Sequence, residues 1–436
     1  MILVRIRNII LVLGLLVSVS AQLQCANLLR NITEAEIDFS DLPGGRRTYT
    51  LCPGQVYQPS QLTPMAQTLQ DAFQDDYPLV VRSRATVKCG ANGASSNNCV
   101  IDGLGTWGVL IDAFMFPNLP DVERQSILLQ GITFRGFVNT LQPNSVLFFT
   151  APQGSITLKD CIFEDVGSFA PFNFLQAFRE TPNRALRNEV AEVPYSELDD
   201  DTKLKLWMDA YNSTSAVINA HKILDGNSRR KVLADAGVHQ NIRRLNDTFD
   251  FPDFEEGKVV IKIEDCVFAN TTMVTTPRTD SAHTLLYFSG ILVTDLEEPT
   301  PGKMNVRITG TKFQNIKSDA DSPPFPTRRS IIEFQSNGKL FLQDTCFDDI
   351  KIPSFDVEAV ILMHANSEHK DLGGNSIANV EFLDGDTPNP NSGCNYVALY
   401  NLDNILANSY GFLTCIDDAF NFQNQCGGGG GGGDGD

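Results

Sequence analysis

The sequence predicts an all-β solenoid, a right-handed parallel β-helix with a helical insertion. Three observations predict it. First, one phrase recurs: ILLQGITFRGF from Ile127, ITLKDCIFEDV from Ile156, IKIEDCVFANT from Ile261, VRITGTKFQNI from Val306 and LFLQDTCFDDI from Leu340, with a weaker sixth, NSIANVEFLDG, from Asn375. Second, each phrase alternates with the period of a strand, placing Ile156, Leu158, Cys161 and Phe163 inward and Thr157, Lys159 and Ile162 outward. Third, two out-of-phase columns hold only Gly, Asn and Asp, the residues that tolerate a left-handed backbone. One reads Gly131, Asp160, Asp265, Gly310, Asp344, Asn379, and the other Gly136, Asp165, Asn270, Asn315, Asp349, Asp384.

Each repeat therefore reads as strand, sharp bend, strand, turn. Aligned on phenylalanine, the phrases fall at Phe134, Phe163, Phe268, Phe313, Phe347 and Phe382, with four gaps of 29 to 45 residues and one of 105. Further apolar runs lie between them, such as TLLYFSGILV from Thr284, SIIEF from Ser330 and YVALY from Tyr396. A coil thus holds several strands, and equivalent strands of successive coils stack in parallel. Parallel crossovers are right-handed by strong preference. A lone coil buries too little to offset the entropy of ordering about thirty residues, so the coils and their caps form together.

Residues 1–21 read as a signal peptide. Arg5 and Arg7 precede an apolar run from Ile9 to Val17 and a small-residue exit ending at Ala21. The run is about half of what spans a bilayer. The expected location is secreted, in an oxidising compartment, where ten cysteines favour disulfides. Cys89 and Cys99 bracket one polar loop, Cys25 and Cys52 would clip the N-terminal region, and Cys415 and Cys426 the C-terminal one. Sequons at Asn31, Asn212, Asn246 and Asn270 are candidate glycosylation sites.

Residues 22–171 are expected to hold an N-terminal cap and the first coils. Thr63 as N-cap, Pro64 at N1, and Met65, Leu69, Phe73 and Tyr77 at helical spacing predict a helix over 63–77. Residues 172–254 are expected to be a helical insertion: Leu204, Trp207, Met208 and Tyr211 recur at i, i+3, i+4, i+7. The insertion rejoins the stack in residues 255–426, the remaining coils and C-terminal cap. Cys161 and Cys266 then occupy one position in adjacent coils. Stacked strands hold Cα atoms about 4.8 Å apart, within disulfide range; two free thiols in a packed column is the other reading. Residues 427–436 are a Gly-rich tail expected to be disordered.

The formal charge of −19 disfavours nucleic acid and anionic membranes as partners. A polysaccharide or cell-surface glycan, a cation or a basic protein remains. No cofactor or metal site is expected. Ca²⁺ would suit the Asp-rich turns SDADS from Ser318 and LDGDTPNPN from Leu383, but without an EF-hand pattern these read as solvated turns.

The segments YTLCPGQVY from Tyr49, ATVKCG from Ala85, CVIDGLG from Cys99 and LLQGITFRGF from Leu128 resemble the opening coils of secreted right-handed parallel β-helix proteins of the pectin-lyase-like superfamily. The resemblance covers roughly residues 45–170 and 255–415. It implies that any chemistry lies on the outer face of one sheet. Polygalacturonase-like members carry paired aspartates, a Gly-His-Gly and an Arg-Ile-Lys; that set is absent, and Arg307 opens an RIT without the lysine. The outward columns instead place Lys262 beside Arg307, with Lys159, Glu264 and Lys312 nearby. These five are the candidate ligand-binding residues, for an acidic glycan; ordinary cross-strand pairing on a solvated sheet is the competing reading. No catalytic residue stands out. The expected function is a non-catalytic secreted protein with a glycan-binding or surface role. The alternative is a polysaccharide lyase or hydrolase acting on acidic glycans from one sheet's outer face.

Overall fold

The computed structural model describes residues 25–37, 47–58, 79–81, 85–103, 109–112, 126–137, 147–150, 155–168, 172–179, 259–273, 283–293, 300–301, 304–318, 328–354, 357–384, 394, 396–400 and 414–426. The expected signal peptide, the helix over 63–77, the helical patterns of the insertion and the Gly-rich tail lie outside the described residues.

The described chain is all-β, apart from a helix at Leu29–Ile37 and a single 3-10 turn. It visits three sheets in turn, one rung further each time. The first sheet stacks Arg47–Leu51, Ala85–Cys89, Ser126–Gln130, Ser155–Lys159, Val259–Glu264, Asn305–Thr309, Lys339–Gln343 and Glu368–Asp371. The second stacks Val56–Tyr57, Cys99–Asp102, Ile132–Arg135, Ile162–Glu164, Val267–Met273, Lys312–Ser318, Cys346–Ser354 and Ser376–Asp384. The third stacks Leu79–Val81, Val109–Asp112, Leu147–Thr150, Phe172–Arg179, His283–Val293, Arg328–Gln335, Ile361–His364 and Val397–Tyr400. All pairings along these paths are parallel; Thr414–Cys415 closes the third sheet antiparallel. This architecture of long parallel sheets is compatible with a β-solenoid.

The core runs up the middle. Ile127, Ile156, Ile261, Val306 and Leu340 form one inward column, 1% exposed or less. Phe134, Phe163, Phe268, Phe313 and Phe347 form another, with successive ring centroids 4.8 to 5.1 Å apart and planes within 9°. That offset stacking adds to simple area burial. Phe172 of the third sheet meets Phe163 and Phe268 edge-on.

The bends obey the left-handed columns. Gly131, Asp160, Asp265, Gly310 and Asp344 have φ between 48° and 68°, and Gly136, Asp165, Asn270, Asn315 and Asp349 between 50° and 69°. The sixth phrase departs from its expected register. Ile377, not Phe382, lies under Phe347, and Phe382 lies under Ile352. Asn379 consequently belongs to the second column, where its Nδ2 donates to Asp348 Oδ1 at 2.8 Å, and Gly374 (φ 73°) takes the place in the first. The first-sheet strand of that rung is Glu368–Asp371, which the phenylalanine alignment had not counted.

The insertion also starts later than expected. Phe172–Arg179 is not helical but a third-sheet strand, paired along its length with His283–Val293. Its apolar Phe172 and Phe174 are buried in the common core, which favours a strand over a helix there.

Four disulfides are formed: Cys25–Cys52, Cys89–Cys99, Cys346–Cys426 and Cys394–Cys415. Cys415 and Cys426 are therefore not bridged to each other. The C-terminal segment crosses the end of the stack between them. Cys415 pairs with Ala398 at the third sheet, whereas Gln423 bridges to Ser376 at the second and brings Cys426 to Cys346. Cys161 and Cys266 are buried free thiols. Both ends of the stack are covered: Leu29 and Ile32 of the helix are buried at one, and Phe420 is buried at the other, where Phe422 meets Phe347 edge-on. No described helix is long and apolar enough to cross a membrane.

Candidate functional site

Two outer faces carry side chains that could do chemistry. On the first sheet, parallel register aligns Thr157, Lys262, Arg307, Phe341 and Lys370 in one outward column. Strand spacing puts Lys262 and Lys370 about 14 Å apart along the stack. Two cations stand directly side by side, Lys262 and Arg307, an arrangement that is unfavourable by itself. The Arg307 guanidinium lies over the Phe341 ring, 5.8 Å from its centroid, and its Nε is buried without a hydrogen-bond partner.

The remaining predicted residues separate from this pair. Lys159 and Glu264 pair with each other at 3.7 Å in the next column of the same face. They are 45% and 30% exposed, so the pair contributes little to stability. Lys312 is not beside Arg307: it starts a strand of the second sheet, beyond the bend at Gly310, in a column with Ile162, Val267 and Cys346. Extending the phrase alignment to the sixth repeat would put Ser376, Ala378 and Glu381 in these columns, but all three lie on the second sheet. Lys370 replaces Ser376 beside Phe341.

The third sheet presents a site that the sequence did not reveal. Tyr400 Oη and Gln335 Nε2 both donate to Glu333 Oε1 at 2.8 Å, and Tyr287 Oη donates to Gln335 Oε1 at 2.8 Å. The His364 ring meets Tyr400 edge-on at 6.3 Å. These residues come from four successive rungs, and Glu333 is fully buried. A carboxylate held dry between donors is equipped for proton transfer or for orienting a hydroxyl ligand. Position favours this face too. In the third to seventh rungs the first and second sheets join through one or two residues, while the longer connections, including 180–258, leave the third sheet's edges. Glu333 sat inside an apolar run, SIIEF; its isolation between Ile332 and Phe334 was the available signal.

Among the described residues, no group of three or more His, Cys, Asp and Glu could hold a metal. Of the sequon asparagines, Asn31 is exposed on the helix, and Asn270 is exposed at a left-handed turn where it accepts from Asn315 at 2.7 Å. Asn212 and Asn246 lie outside the described residues. No protein-family model, no curated protein and no solved structure matches the chain.

Proposed function

We propose that the chain is a secreted right-handed parallel β-helix protein of the pectin-lyase-like type that binds an anionic glycan along the outer face of its first sheet. The apolar N-terminal segment and four disulfides support secretion. One observation carries the binding reading: Lys262 and Arg307 are in register as like charges on an outer face, in a chain of net charge −19. A carboxylate or sulfate on a sugar chain would relieve the repulsion between the two cations. Phe341 offers an apolar face for a pyranose ring, and Lys370 extends the charge along the stack.

The second reading is a lyase or hydrolase using the third sheet, favoured by the buried Glu333 with its Tyr400 and Gln335 donors. Titration of the purified protein with a panel of uronate, sulfated and neutral glycans separates the two, reading retention and newly formed unsaturated or reducing ends together. Binding without product, weakened about tenfold by Arg307→Ala (about 1.4 kcal/mol) and falling with salt, is the expected result. Product formation abolished by Glu333→Gln would replace the first reading with the second. No retention of any anionic glycan would remove the first.

A further inference from the structure

Cys161 and Cys266 occupy one inward column on consecutive rungs, both fully buried and, in this structure, both free thiols. The strands that follow them are in direct parallel register, Ile162 beside Val267, and Val267 N donates to Cys161 O at 2.9 Å. Neighbouring parallel strands hold equivalent Cα atoms about 4.8 Å apart, inside the range a disulfide spans.

The other eight cysteines divide evenly about the long connection over residues 180–258. Cys25–Cys52 and Cys89–Cys99 lie wholly before it, and Cys346–Cys426 and Cys394–Cys415 wholly after it. Each side thus carries an odd number of cysteines, with Cys161 left over on one and Cys266 on the other. Pairing within either side cannot be completed. Within one chain, only a bond across the connection uses both.

We propose that these two thiols are a covalent modification site, oxidised in the secreted chain to an inter-rung disulfide that fastens the two halves of the stack together across residues 180–258. The bond forms while the rungs are still open. The thiolate of one cysteine attacks a small-molecule disulfide of the oxidised glutathione class, releasing one small thiol and leaving a mixed disulfide. The second cysteine loses its proton to solvent and attacks the bonded sulfur, releasing a second small thiol. The pair gives up two electrons and two protons, and the co-reactant disulfide is reduced to two thiols. Once the rungs close, burial shields the bond from exchange.

The competing role is visible in the same column. Thr311 and Thr345 donate their hydroxyls to Thr309 O and Gln343 O at 3.0 and 3.1 Å, and the sulfurs of Cys161 and Cys266 make the same reach to Lys159 O and Glu264 O at 3.4 and 3.3 Å. As reduced thiols they would serve as threonine substitutes and nothing more.

The test uses the full chain, expressed through an oxidising secretory pathway, with a site-specific protease sequence inserted after Ser215. After cleavage and denaturation, no other intrachain bridge joins the two pieces. The expected result is one band on a non-reducing gel that separates into two with reductant, and a Cys161–Cys266 linked peptide by mass spectrometry. The double variant Cys161→Thr/Cys266→Thr keeps the hydrogen-bonding pattern and should separate without reductant. Two bands from the parent chain without reductant, with two alkylatable thiols per molecule, would overturn the proposal.

Discussion

Phe163 and Phe268 stack at 4.8 Å with their rings within 9° of parallel, although 105 residues separate them. The contact joins the last rung before the long connection to the first rung after it. Phe268 also stacks on Phe313 and receives Phe172 edge-on, and it is fully buried. Phe268→Ala should therefore cost about 3–5 kcal/mol, the range for a large-to-small change in a packed core. Chemical denaturation would show a lower midpoint. A loss under about 1 kcal/mol would mean the column is not continuous.

Gly310 is constrained twice. Its φ is 59°, and a Cβ placed on it would lie 2.4 Å from Asp265 Oδ1 on the rung before. Gly310→Ala should cost about 1–3 kcal/mol from backbone strain, and more from the clash. Asp265 itself sits at φ 55°, so Asp265→Gly keeps the bend while removing the clashing oxygen. In a double-mutant cycle the pair should be less destabilised than the sum of the singles. Strict additivity would place the cost in the backbone alone.

Asp160 reaches past its own rung. Its carboxylate accepts from Ser95 N at 2.8 Å and Ser95 Oγ at 2.7 Å, pinning the polar loop closed by Cys89–Cys99. Asp160→Gly retains the left-handed bend and loses both bonds, so it isolates them. A loss of about 1.5–3 kcal/mol is expected for a charged acceptor. Amide exchange at Ser95 should rise in the variant; unchanged protection there would show that the loop is held by its disulfide.

Alkaline pH should loosen the N-terminal end first. Burial, and then the Glu36 carboxylate that its hydroxyl donates to at 2.6 Å, push the Tyr49 phenol well above its usual 10.0. The folded state favours the neutral phenol. This stabilisation is complete below the unfolded value and is lost as pH rises through the folded one. Thermal stability should fall above about pH 10, and Tyr49→Phe should flatten that part of the curve. Parallel pH profiles for parent and variant would show that Tyr49 is not the group responsible.

Much of the stack was legible because its repeated phrase spans the first two sheets, where one- or two-residue bends keep the register rigid. Phe134 to Phe347 and both left-handed columns could be read directly. The reading slipped at the last rung, where Ile377 fills the phenylalanine position and Phe382, five residues on, imitates it. It failed on the third sheet. Connections of different lengths precede its strands, so Tyr287, Glu333, His364 and Tyr400 share no sequence frame, and their convergence needs the pairing register. Cys346 was similarly hidden: on its own strand it is an outward residue, and only the returning C-terminal segment supplies Cys426.

The short corner between the first two sheets also dictates where the gene can change length. One extra codon beside Asp265 would reverse which side chains face inward for the rest of that strand, exposing Phe268 and burying Val267. The other two corners impose no such rule, and one already accommodates residues 180–258. Deletions and insertions accumulated over generations should therefore map to those two corners, while in the third to seventh rungs the Asp and Gly corner keeps its short spacing.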